Sequence, residues 1–153
     1  MKIETRRFGT VEIDDGAIIV LPKGLIGLPL LTRFIALGHE RAGCFSWWQS
    51  VDDRDTALVA VDPSSILPDY DLKGLEADVA DLGLEDARAC QVAVFATISG
   101  PTLDSVALNL AAPVIVNPAT RRGRQVVFQD GRYPVDARWD DLLSPKRSFE
   151  LAA

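Results

Sequence analysis

The residue types able to do chemistry gather in one stretch, positions 45 to 70, which reads FSWWQSVDDRDTALVAVDPSSILPDY. Its carboxylates are Asp52, Asp53, Asp55, Asp62 and Asp69, and Trp47, Trp48 and Tyr70 stand beside them. Two carboxylates share acid–base work when they converge on one substrate and their environments push their pKa values apart. Asp52 with Asp53, and Asp140 with Asp141, are sequence neighbours, so in a strand they point to opposite faces and cannot converge. In a turn they could meet on a cation, but no Gly-bearing calcium-loop spacing accompanies them. A solvated turn is the stronger reading.

The rest of the inventory is short. His39 is the single histidine, placed with Glu40 and Arg41 in a polar loop, and no GxSxG accompanies it, so a histidine-based triad has no framework. Cys44 and Cys90 make no CxxC pair and read as small buried hydrophobes or idle thiols rather than zinc ligands. There is no glycine-rich phosphate loop. Arg121, Arg122 and Arg124 in RRGR read as the solvated start of a strand ahead of a phosphate clamp. The expectation is a protein without catalysis, metal or cofactor.

Recognition is what remains. Strand parity places Phe45, Trp47, Gln49 and Val51 on one face and Ser46, Trp48 and Ser50 on the other. Trp48 is therefore expected among hydroxyls on the wetter face, leading into an acidic turn, while Trp47 is expected in the core. The candidate partner-binding residues are Trp48, Ser50, Asp52, Asp53, Asp55, Asp69 and Tyr70. Aromatics beside charges suit an interface. A second reading stands beside it, in which Tyr70 is core and the acids only bond nearby backbone to hold the turn.

These residues must be positioned by strands. Asp14-Asp15-Gly16 is expected to close a hairpin between Thr10–Ile13 and Ala17–Leu21, and Asp130-Gly131 another between Gln125–Gln129 and Arg132–Ala137. Pro134 makes that last strand an edge. VDDRDT should join strands at 44–51 and 57–61, and ALVAV, apolar on both faces, reads as a barrel strand covered on both sides. The long strand 89–99 is expected at the sheet centre. Residues 72–75 are a further short strand, 77–84 a short helix stopped by Gly83 and 140–143 a helical turn. Asn109 and Asn117 read as local caps. The fold class is all-β, mainly antiparallel, a small barrel-like or sandwich single domain over residues 1–153 with one or two short helices and a frayed C-terminus.

Composition sets the bounds. A chain of 153 residues buries about 68–70% of its unfolded surface, enough to fold without disulfides or metal. Its 48% hydrophobic and 25% charged content and mean hydropathy of +0.12 are those of a soluble globular protein. The longest apolar runs, 17–21 and 110–116, fall short of the roughly 18 residues of a membrane span. MKIETRRFG lacks an apolar signal core, so a cytoplasmic location is expected. The net charge of −6 opposes a nucleic-acid backbone and favours a basic or neutral partner.

The order and spacing of TRRFGTVEI, IIVLPKGLIGL, FSWWQSVDD, ALVAVDP, LPDY, NLAAPVIVN, RRGRQVVF and RYPVD resemble the FliW family of bacterial flagellar assembly factors along nearly the whole chain. The chain departs from that pattern at Cys44, Trp48 and Leu28-Pro29. The resemblance implies a small non-catalytic β-barrel-like protein, expected to be a monomer when free, that binds flagellin in the cytoplasm. It also implies binding to the RNA-binding translational regulator CsrA, which relieves repression of flagellin translation. Two alternatives are a nucleic-acid-binding barrel of OB type, which the overall charge opposes, and a metal-assisted hydrolase using the Asp cluster.

Overall fold

The computed structural model describes residues 1–38, 45–84, 90–102 and 105–143. The expectations for His39, Cys44 and the chain end beyond 143 fall outside these residues. Strands β1 (Lys2–Thr5) and β2 (Gly9–Glu12) form a separate antiparallel hairpin. The main sheet contains β3 (Ile19–Val20), β4 (Arg33–Gly38), β5 (Phe45–Ser50), β6 (Ala57–Val61), β7 (Gln91–Ile98), β8 (Val106–Leu108), β9 (Val114–Asn117), β10 (Arg122–Gln125) and β11 (Ala137–Arg138). Helix α1 spans Trp139–Leu143.

The sheet closes on itself. Its order is β11-β8-β7-β6-β5-β4-β3-β10-β9, and a further pairing of β7 with β9 joins the ring. One edge of β7 carries both neighbours, since Gln91, Val92 and Ala93 pair with β9 while Ala96, Thr97 and Ile98 pair with β8. The long two-sided strand expected at the sheet centre is therefore the seam of a barrel. Among the described residues every strand pairing is antiparallel except β3 with β10, so the all-β, mainly antiparallel class holds.

Alternating residues divide the core into layers. Ile19, Phe34, Trp48, Ala60, Ala93, Val114 and Val116 form the buried cluster within the ring, and Leu21 and Leu25 join them. Their strand neighbours face outward and are covered in turn. Ile35 packs with Ile3, Ile13 and Ile18 beneath the β1–β2 hairpin. Val61 and Val94 pack with Trp139 and Leu142 of α1, and Ile115 packs under Leu75, Val79 and Leu82. Each fully buried side chain of this size contributes about 1.5–3 kcal/mol.

Both expected Asp-Gly hairpins are corrected. The Asp14 carboxylate accepts from Gly16 N at 3.0 Å and caps a single 3₁₀ turn at Asp15–Ala17, while β2 and β3 on either side pair with different strands. At Asp130-Gly131 the carboxylate is taken by the Arg132 side chain. The strand before it is β10, extended by Val126 N to Pro113 O at 3.0 Å and Phe128 N to Ala111 O at 2.9 Å. That pair turns instead at 118–121, where Arg121 has a φ of 59°, a left-handed conformation disfavoured for a residue with a Cβ. Its side chain offsets this by donating to Ala17 O at 3.0 Å and Gln91 Oε1 at 3.3 Å. Arg122 and Arg124 begin β10 as expected.

Residues 72–75 form turns rather than a strand, and the helix expected over 77–84 is reduced to a 3₁₀ turn at Ala80–Leu82, with Gly83 ending it at a φ of 70°. The strand expected over Arg132–Ala137 is not formed except at its last residue: β11 is Ala137–Arg138 and, among the described residues, pairs with β8 at the sheet edge. Asn117 Oδ1 accepts from Ala119 N at 3.0 Å, and Asn109 Oδ1 accepts from Ala111 N at 3.2 Å, both as local caps. The Asn117 amide also donates to Leu82 O at 2.8 Å and ties the 3₁₀ turn to the barrel.

Candidate functional site

The connector between β5 and β6 is built by its own side chains. Ser50 Oγ accepts from Asp53 N at 2.9 Å and Asp52 N at 3.2 Å. Asp53 Oδ1 accepts from Asp55 N at 3.0 Å, and its Oδ2 accepts from Thr56 Oγ1 at 2.7 Å. These bonds, the Thr56 hydroxyl foremost, hold the Asp53 carboxyl below the usual carboxylate range. Asp52 receives the Arg33 guanidinium, whose Nη2 pairs with Oδ1 and whose Nε donates to Oδ2 at 3.2 Å. Both partners are substantially exposed, so the pair adds at most about 1 kcal/mol. Asp55 is exposed, and among the described residues no hydrogen bond or ion pair engages its carboxylate. The turn is thus partly self-neutralised.

Of the expected outward residues, two lie inside and a third is half-covered. Trp48 is buried within the ring, 6.1 Å from Phe34 and 5.5 Å from Phe95 between ring centroids. Ser50 is fully buried as the cap of the turn. Tyr70 is half-buried, stacked on Tyr133 at 4.5 Å and edge-on to Phe128 at 6.0 Å, and its hydroxyl donates to Leu110 O at 2.6 Å. Burial, reinforced by Tyr133, pushes the Tyr70 phenol well above its ordinary value. Trp47, expected in the core, is half-buried on the outer face, with Phe8 edge-on at 5.9 Å and the Arg7 guanidinium 4.1 Å from its ring centroid. The parity was right and the sides were reversed, because in a closed barrel the face opposite the solvent layer is the lumen.

The seven candidate residues do not form one patch. The chain runs up β5 to the Asp52–Asp55 turn and back down antiparallel β6 before reaching Asp69 and Tyr70. The two groups are therefore separated by about five residue steps, roughly 16 Å of strand. At the Asp69 end the exposed acids continue as Asp71, Glu76, Asp78 and Asp81, with Lys73 among them. Arg132 Nη1 and Arg124 Nη1 anchor this segment through the main-chain carbonyls of Asp71 and Asp78, at 3.3 and 3.0 Å. A cavity of about 1270 Å³ opens at the same end, with Trp48, Asp62, Tyr70, Lys73 and Arg121 in its wall.

An exposed apolar loop lies outside the candidate set. Between β3 and β4, Ile26 is 63% and Leu30 88% exposed, with Leu28 beside them at 37%. The loop is pinned by Gly24, where a Cβ would lie 2.4 Å from Pro29 O, and by Ile26 N donating to Gln125 Oε1 at 2.8 Å. Large aliphatics held outward on an ordered loop mark a protein-contact surface more than a core. The signal was available as GLIGLPL, an apolar run broken by glycine and proline. Among the described residues, no group of His, Cys, Asp and Glu is placed to hold a metal ion.

The family model FliW protein matches residues 2–139. A flagellar assembly factor FliW of Syntrophus aciditrophicus is 34% identical over 152 residues, spanning 99% of this chain and 92% of its own. A flagellar assembly factor FliW 2 of Desulfotalea psychrophila is 34% identical over 127 residues, 83% of each chain. A crystal structure of the flagellar assembly factor FliW superposes with a TM-score of 0.82 at 26% identity, covering 97% of this chain and all of that one.

Proposed function

The chain belongs to the FliW family, and from that premise we propose that it is a cytoplasmic, non-catalytic flagellar assembly factor that binds flagellin and antagonises CsrA by direct contact. The match across residues 2–139 is the observation that carries the reading. Relief of CsrA repression of flagellin translation, with free flagellin competing for the same protein, is the role that follows from it. No helix among the described residues is long and apolar enough to cross a membrane.

Two surfaces support a protein partner. The exposed Ile26, Leu28 and Leu30 supply apolar anchors of the type that carries binding energy at the centre of an interface. The acids Asp69, Asp71, Glu76, Asp78 and Asp81 give a negative field that suits a regulator made basic by its need to hold RNA. Complementary charge accelerates encounter and fixes orientation, with screening beyond about 8 Å at physiological salt. Of the residues first singled out, Asp52, Asp53, Asp55 and Asp69 keep some exposed surface and remain in the proposed contact set. Trp48 and Ser50 support it from within, and Tyr70 keeps part of its surface in the cavity wall.

The experiment is a pull-down of the organism's own flagellin and CsrA by the purified protein. Capture of both is expected; capture of neither overturns the reading while leaving the fold intact.

A further inference from the structure

The loops at the Asp52–Asp55 end of the barrel meet one another. Arg6 N of the β1–β2 turn donates to Arg54 O of the β5–β6 connector at 2.9 Å, and Val51 N donates to Arg33 O at 3.0 Å, where the β3–β4 loop returns to the sheet. β7 also finishes at this end, because Ala96 pairs with Val59 and the strand then runs antiparallel toward the level of Ala57. Exposed apolar side chains collect here. They are Phe8 on the turn, Ile26, Leu28 and Leu30 on the loop, and Ile98, 51% exposed, at the tip of β7. Such a concentration of bare apolar surface marks a contact site.

The free charges at this end are cationic. Lys23, Arg6, Arg7 and Arg54 are exposed, and among the described residues no ion pair engages them. Of the connector's acids, Asp52 is taken by Arg33 and Asp53 by Thr56 Oγ1 and Asp55 N, which leaves the Asp55 carboxylate. In a chain of net charge −6 this is a segregated positive field around apolar anchors. The loop is also fixed in shape, by Ile26 N donating to Gln125 Oε1 at 2.8 Å and by Gly24 packed against Pro29, so binding costs little ordering there.

An occupant must offer apolar groups and negative charge together. An anionic membrane offers both but is repelled by the chain as a whole. A single nucleic-acid strand needs aromatic stacking platforms, whereas Ile26, Leu28, Leu30 and Ile98 are aliphatic. A second copy docked through the same end would set cation against cation. A protein segment with carboxylates around apolar side chains gives the apolar centre and charged rim of an ordinary interface. We propose that this end of the barrel docks an acidic amphipathic segment of a protein partner, with its apolar side chains on Ile26, Leu28 and Leu30 and its carboxylates toward Lys23, Arg6, Arg7 and Arg54. The proposal rests on the reading of the β3–β4 loop as a protein contact and adds the charge of what it meets, opposite in sign to the partner suited to the Asp69–Asp81 surface.

The test is ¹H–¹⁵N NMR titration of the full chain at low salt. The probes are short helical peptides built on the repeats Leu-Glu-Glu-Leu, Leu-Lys-Lys-Leu and Ser-Glu-Glu-Ser, and vesicles of phosphatidylglycerol. Saturable shifts at the amides of Ile26, Leu28, Leu30 and Arg54 are expected with the Leu-Glu peptide. Leu30→Ser and Arg54→Ser, which change exposed side chains, should each weaken it about tenfold, the scale of one interface anchor. No saturable shift with that peptide overturns the proposal. Equally tight binding of either other peptide or of the vesicles at those amides overturns it too, as do the same shifts on raising the protein concentration alone. The titration contains neither flagellin nor CsrA, so its failure is separable from failure of the pull-down.

Discussion

Trp48 meets Phe95 edge-on inside the barrel, with ring centroids 5.5 Å apart and planes at 83°. This contact spans β5 and β7, two strands separated by β6, and so fills the lumen rather than decorating a surface. Aromatic pairs of this geometry add about 0.5–1.5 kcal/mol beyond the area they bury. The tryptophan singled out as an outward contact is a principal filler of the core.

Trp48→Ala should therefore destabilise by about 3–5 kcal/mol, the cost of deleting a large buried aromatic. Trp47→Ala, which removes a half-buried ring and its Arg7 contact, should cost nearer 1 kcal/mol. Urea denaturation of the two variants checks the order, and equal losses would contradict the assignment of sides.

Much of the barrel's local detail is legible in the sequence because it is made by neighbours. VDDRDT forms its turn with Ser50, Asp53 and Thr56 all within a few residues, and Asn117 caps its own segment. Strand parity is legible too, since Phe34 and Ile35 alternate sides as a pleat requires. Which side is inside is not legible when both are covered, as the adjacent buried pairs Gln49 with Ser50 and Ala93 with Val94 show. Closure through Gln91 and Val116, and the meeting of Arg6 with Arg54, join distant positions that no local pattern links.

Gly123→Ala should weaken closure at β10. An added Cβ would lie 2.8 Å from Ile115 O, 2.9 Å from Val116 Cγ2 and 3.0 Å from Leu21 Cδ2, against a strand pairing that cannot shift without breaking its register. Overpacking of this kind costs about 1–3 kcal/mol. A thermal melt indistinguishable from the parent would show that the barrel yields there.

Tyr70→Phe leaves the Leu110 carbonyl without its 2.6 Å donor and should cost about 1–3 kcal/mol near neutral pH. The phenol's folded pKa is raised above its unfolded value, chiefly by burial. Its contribution is therefore complete below about pH 10 and is lost as pH rises beyond that. Urea midpoints of parent and variant should converge above pH 10, and a constant gap would contradict the buried assignment.

Asp53→Ala should lower the melting temperature at neutral pH by removing the acceptor of Thr56 Oγ1 and Asp55 N. The folded pKa of Asp53 is depressed, so its ionised form contributes above the unfolded value of about 3.9, and the contribution fades as pH falls through the lower folded value. Melts from pH 7 to pH 3 should show the parent approaching the variant only at the acid end.

Calorimetric titration of the purified protein with the organism's CsrA, repeated with flagellin already bound, decides whether the chain is a flagellin-gated CsrA antagonist. Saturable binding to each partner alone and loss of the CsrA signal in the presence of flagellin are the predicted results. Absence of binding to both partners, at low salt and with folded proteins, would rule that role out.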